Sequence, residues 1–194
     1  MADVPGLTRR FSARVARALP FWLLGYLALH GLEQAAVCTG RDALLARLAS
    51  TAHARLEAFC VIVPAAVYLF ARPQLQRGPW PRGFRAVHMI SGSVAAALLA
   101  LHLMQVWWPR VRTSAPSAAY VAMLEVTSTP AGAALQLLFV TACLLHLGLA
   151  IVPGLQGVGL SMRGASSLAA WVCAALWLWL VNLLSAYVAG SPLL

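Results

Sequence analysis

Five long apolar stretches, at roughly residues 18–37, 54–72, 86–108, 130–152 and 166–188, constrain this chain more than anything else in it. Each approaches the ~20 apolar residues that a helix needs to cross a bilayer. Among 194 residues 61% are apolar and only 10% charged, more hydrophobic surface than a soluble core of that length can hide. In hydrocarbon the backbone must satisfy its own hydrogen bonds, so such runs predict helices, and the short loops between them predict antiparallel neighbours. The expected fold class is all-α, an integral membrane bundle of five transmembrane helices over 18–190, preceded by a basic segment over 1–17. Within that segment residues 7–17 carry four arginines in three turns, which reads as a helix lying on the membrane surface. Prolines set the expected boundaries: Pro20 opens the first span, Pro73, Pro79 and Pro81 break the loop after the second, Pro109 closes the third, Pro130 opens the fourth, and Pro153–Gly154 end it.

The net charge of +9 does not point to nucleic acid, because the arginines sit at the ends of apolar runs and report orientation instead. With the first span entering from the cytoplasm, Arg9, Arg10, Arg14, Arg17, Arg72, Arg77, Arg82, Arg85 and Arg163 fall inside. Arg41, Arg47, Arg55, Arg110 and Arg112 fall outside. Nine against five predicts a cytoplasmic N-terminus in a bacterial inner membrane. The first run is as long as a full span and lacks a small-x-small cleavage site, so it reads as a retained helix. Cys38, Cys60, Cys143 and Cys173 are scattered singly, which argues against a thiol–disulfide enzyme or a zinc site and reads as small apolar filler.

Histidines inside a bilayer are costly and mark candidate sites. His30 and His102 lie about six or seven residues from the same predicted membrane face, whereas His146 belongs to the opposite leaflet. Two imidazoles at equal depth on different helices are what an axially coordinated haem iron requires, since the flat macrocycle slots between helices and takes one ligand from each side. The alternative is that each imidazole hydrogen-bonds a carbonyl or polar side chain within the bundle. His88 precedes His102 by 14 residues, about 21 Å along a helix and within about 40° of the same face. It suits either a second haem or the headgroup region beside Arg85. His53 and Arg55 read as a solvated helix start, and Glu33 and Gln34 share the face of His30.

Four local patterns, in order along the chain, carry a resemblance: LGYLALHGLEQ in the first span, LEAFCVIVPAAVY in the second, Ser91–Gly92 followed ten residues later by His102 in the third, and Ser128-x-Pro130 followed by His146 in the fourth. Together they are similar to the five-helix, di-haem cytochrome b anchors of succinate dehydrogenase and fumarate reductase. The resemblance implies haem b between the helices, with His30 and His102 holding the distal haem. The proximal haem retains His146, but Tyr68 stands where the family has its partner histidine. Three arrangements of the inner level stay open: a haem on His146 and Tyr68, a haem on His146 and His88, or quinone near His88, Ser91 and Tyr68.

The resemblance further implies an iron–sulfur subunit and a flavoprotein subunit as partners, and electron transfer to or from a membrane quinone, expected to be menaquinone. A quinone site is expected near His30, Glu33 and His53. The arginines of the N-terminal segment and of the 72–85 loop make a docking face for that partner or for anionic lipid. The competing readings are a stand-alone b-type transmembrane cytochrome, similar to the b561 type, and a haem-free membrane anchor.

Overall fold

A computed structural model describes residues 4–38, 59–61, 63–64, 82–113 and 118–189. Every element among them is helical. Helix α1 runs Val4–Cys38 and α2 Arg82–His102. A π-helical turn, Leu103–Trp107, joins α2 to the short α3, Trp108–Thr113. Helix α4 spans Ala118–Thr127, α5 Pro130–Gly157 and α6 Met162–Ala189. Three helices are long and apolar enough to cross a membrane, Gly83–Trp107, Pro130–Gly157 and Met162–Ala189, and they coincide with the third, fourth and fifth predicted spans. The first predicted span is helical throughout as part of α1. The second lies outside the described residues except at 59–61 and 63–64, which are helical.

Prolines terminate fewer helices than their positions predict. Helix α1 passes unbroken through Pro20, which is fully buried, so the surface segment and the first span form one helix. The third span continues past Pro109 into α3. Pro109 has no N–H to give to the helix. Just before it the ladder widens, the Trp108 N–H reaching back five residues to the Leu103 carbonyl, the bonding pattern of a π turn. Helix α5 likewise runs beyond Pro153 to Gly157. It stops at Gly159, whose φ of 97° favours glycine, and there the N–H groups of Gly159 and Leu160 close on the carbonyls of Gln156 and Leu155 at 3.0 and 3.3 Å. Pro130 does open α5: Thr129 is the N-cap, accepting from the Gly132 N–H at 3.1 Å.

Helix α5 is the centre of the bundle, packing against α1, α2, α4 and α6. Of its apolar stretch 44% is buried, against 22% for the span Gly83–Trp107 and for α6, whose other faces are exposed through Ile90, Met104, Trp171 and Leu178. The α5–α6 seam is close because its residues are small. Ala165, Ala169 and Cys173 recur every fourth residue of α6 and are buried, and a Cβ on Gly148 of α5 would fall 2.9 Å from the Cys173 sulfur. Trp177 of α6 donates to Thr141 of α5 at 2.9 Å and pins the register. On the other side of α5, Phe21 of α1 lies against Gly154, and Trp22 donates to the Cys60 carbonyl at 3.0 Å, which brings the 59–61 segment beside α1.

Removing the α5 cap tests this account of its start. Thr129→Ala is expected to destabilise the protein by about 1 kcal/mol and Thr129→Ser by much less, read as unfolding midpoints in mixed micelles.

Candidate functional site

Helix α5 serves as a ruler for the histidines. His102, the last residue of α2, lies beside Gln136 and Phe139 of α5. Gly31, next to His30 on α1, faces Trp179 and Leu180 of α6, one turn from the Trp177–Thr141 bond, which sets His30 near the level of Thr141. His146 meets α2 at His88 and Gly92. At 1.5 Å per residue that second level lies about 10–15 Å along α5 from Gln136 and Phe139. The α5 face that meets α1 at Gly154 is turned about 80° from the one that presents His146 to α2.

At the first level each imidazole turns Nδ1 toward a side-chain oxygen. His102 Nδ1 is 3.2 Å from Gln136 Oε1, and its ring stacks on Phe139 at 5.3 Å and 28°. His30 Nδ1 is 3.6 Å from Glu33 Oε2, one turn on along α1, and its ring stacks on Tyr26 at 5.9 Å and 17°. The side chains of His30 and Glu33 are 25% and 21% exposed, so a ligand can reach them. One residue further, Gln34 accepts from the Tyr187 hydroxyl of α6, and the Tyr187 ring leans on Tyr120 of α4 at 5.4 Å. Polar groups left unmatched in hydrocarbon cost several kcal/mol each. Here Gln136 meets His102 and Gln34 meets Tyr187.

The second level is built differently. The rings of His88 and His146 stack directly, with centroids 4.1 Å apart and planes 13° from parallel. The His88 carbonyl accepts from His146 Nδ1 at 2.9 Å and from the Ser91 hydroxyl at 3.2 Å. A carbonyl only accepts, so His146 carries its proton on Nδ1. Gly92 makes the arrangement feasible, since a Cβ there would fall 2.5 Å from His146 Cε1 and 2.7 Å from its Nδ1.

These two levels differ in how they suit a haem. Axial imidazoles bracket the macrocycle from opposite sides, whereas His88 and His146 are in van der Waals contact, and that geometry does not fit a shared iron. His102 suits an axial ligand by its own surroundings: Gln136 engages Nδ1, the nitrogen it turns to protein. In that tautomer Nε2 holds the lone pair a metal takes. Tyr68 and His53 lie outside the described residues. Among the described residues no group of three or more His, Cys, Asp or Glu side chains forms a site for a bare metal ion.

Sequence reasoning placed His30, His88, His102, His146, Glu33 and Ser91 on their helices and left Gln136, Phe139, Tyr26 and Tyr187 unremarked. The missed signal is Gln136, an amide buried to 5% exposure within a run of Leu and Ala.

The Gly92–His146 contact gives a direct test. Gly92→Ala should cost about 1–3 kcal/mol through overpacking, and His146→Ala should relieve most of that cost in the double variant, read by thermal unfolding in detergent. No family model, no curated protein and no solved structure matches this chain.

Proposed function

We propose that this chain is the membrane anchor and cytochrome b subunit of a succinate:quinone oxidoreductase, passing electrons between an iron–sulfur subunit and membrane quinone. The observation that supports it most is His102, whose Nδ1 meets the oxygen of the buried Gln136 at 3.2 Å and leaves Nε2 to a ligand. The four sequence patterns, from LGYLALHGLEQ to the Ser-x-Pro…His of α5, supply the choice of complex.

In this reading the chain makes a five-helix bundle in a bacterial inner membrane with its N-terminus in the cytoplasm, the second span being the one over 54–72. The haem, held by His30 and His102, supplies reversible one-electron chemistry at a potential set by its axial ligands and apolar surroundings. The protein's own work is positional. Gln136 fixes the His102 imidazole, Phe139 and Tyr26 lie against the rings of His102 and His30, and the low-dielectric helices keep water from the haem. The quinone site lies near the outer surface beside His30, Glu33 and His53. On the inner side, Tyr68, His146, His88 and Ser91 form the level nearer the iron–sulfur partner, as a second haem on Tyr68 and His146 or as a further quinone contact. The succinate–fumarate chemistry belongs to the flavoprotein subunit.

The test is a reduced-minus-oxidised absorbance spectrum of membranes carrying the full chain, with partner subunits followed through purification. The wild type should show a b-type haem band and co-purify with flavin and iron–sulfur subunits. His102→Ala should lose the first-level haem signal and His88→Ala should keep it. A full spectrum in His102→Ala contradicts the ligand assignment. Purification without flavin or iron–sulfur protein contradicts the complex and leaves a stand-alone transmembrane cytochrome.

A further inference from the structure

Gln136 is an expensive residue for its position. It sits two turns into α5, in a run that is otherwise Ala, Leu, Phe and Val, and is 5% exposed. A primary amide in hydrocarbon destabilises the helix unless its polar atoms are engaged. Its Oε1 lies 3.2 Å from His102 Nδ1 across the α2–α5 interface. Phe139, one turn further on the same side of α5, stacks on the same ring at 5.3 Å. The two side chains restrain the imidazole in complementary ways: the amide oxygen fixes its rotation and proton position, and the aromatic ring fixes its plane. Immediately beyond His102 the helix widens into the π turn Leu103–Trp107, so the backbone that carries the histidine is itself locally specialised.

We infer that Gln136 is a positioning residue that sets the orientation and electron-donor strength of His102 as an axial haem ligand. The inference rests on the haem reading above. An acceptor on Nδ1–H gives the imidazole partial imidazolate character, which strengthens Nε2 as a donor and stabilises the ferric over the ferrous state. The two ligands are held unequally. The neutral amide of Gln136 is within hydrogen-bond reach of His102 at 3.2 Å, whereas the Glu33 carboxylate stands beyond it, 3.6 Å from His30 Nδ1.

The experiment compares Gln136→Leu and Gln136→Glu with wild type in the full chain with its partner subunits, reading the haem midpoint potential, the low-spin ferric electron paramagnetic resonance signal and haem affinity. Gln136→Leu removes the acceptor. It should raise the potential, shift the g-values and weaken haem binding by roughly 10- to 100-fold, the usual effect of losing such a partner. Gln136→Glu keeps an oxygen at the same reach and should hold the potential at or below the wild-type value. A packing role alone would not order the two variants this way. If Gln136→Leu fails to assemble, the near-isosteric Gln136→Glu still decides, because a potential above wild type there overturns the inference. If both variants keep wild-type potential and spectrum while His102→Ala loses the haem, Gln136 has no such role and the haem reading stands. A wild-type protein without haem overturns both.

Discussion

The cost of holding imidazoles in hydrocarbon governs this structure. Three histidines, His88, His102 and His146, sit in helices long and apolar enough to cross a membrane, and none can be hydrated there at the usual low cost. At the first level the solution is side-chain oxygen, Gln136 for His102. At the second level it is backbone oxygen, the His88 carbonyl for His146, combined with direct stacking of the two rings. The polar residues of the bundle interior cluster around these needs, as a membrane protein's buried polar groups must.

Helix α5 makes this arrangement feasible because it touches nearly every other helix. Its small residues let α6 approach closely at Gly148 and Cys173, and Gly154 admits Phe21 of α1. With α1 and α2 on adjacent sides, the histidines of three helices are referred to one rigid axis. The two levels then become separate environments about 10–15 Å apart along that axis. Gly92 links packing to chemistry most directly, since its missing Cβ is the space that the His146 ring occupies.

Much of this was legible in the sequence, and the remainder for identifiable reasons was not. The third, fourth and fifth spans were readable because length and apolarity act locally, and the helices Gly83–Trp107, Pro130–Gly157 and Met162–Ala189 follow them closely. Helix ends at Pro20, Pro109 and Pro153 were misjudged. A proline's lost hydrogen bond is a local penalty, and burial in neighbouring helices or a widened turn offsets it. The histidines stood out by cost alone. Their partners did not, because Gln136 in a Leu-rich run acquires meaning only once α2 lies beside it, and the stacking of His88 on His146 depends on the Gly92 crossing, which no single helix encodes.

The proposal on which the functional reading turns is that the imidazoles of His30 and His102 are the two axial ligands of one haem. Near-infrared magnetic circular dichroism of the oxidised protein tests it most directly, because the energy of the ligand-to-iron charge-transfer band reports which two side chains hold the metal. The account predicts a low-spin band of bis-imidazole type in the wild type that disappears in both His30→Ala and His102→Ala. A band of another ligand pair, or a bis-imidazole band that survives either substitution, would contradict it.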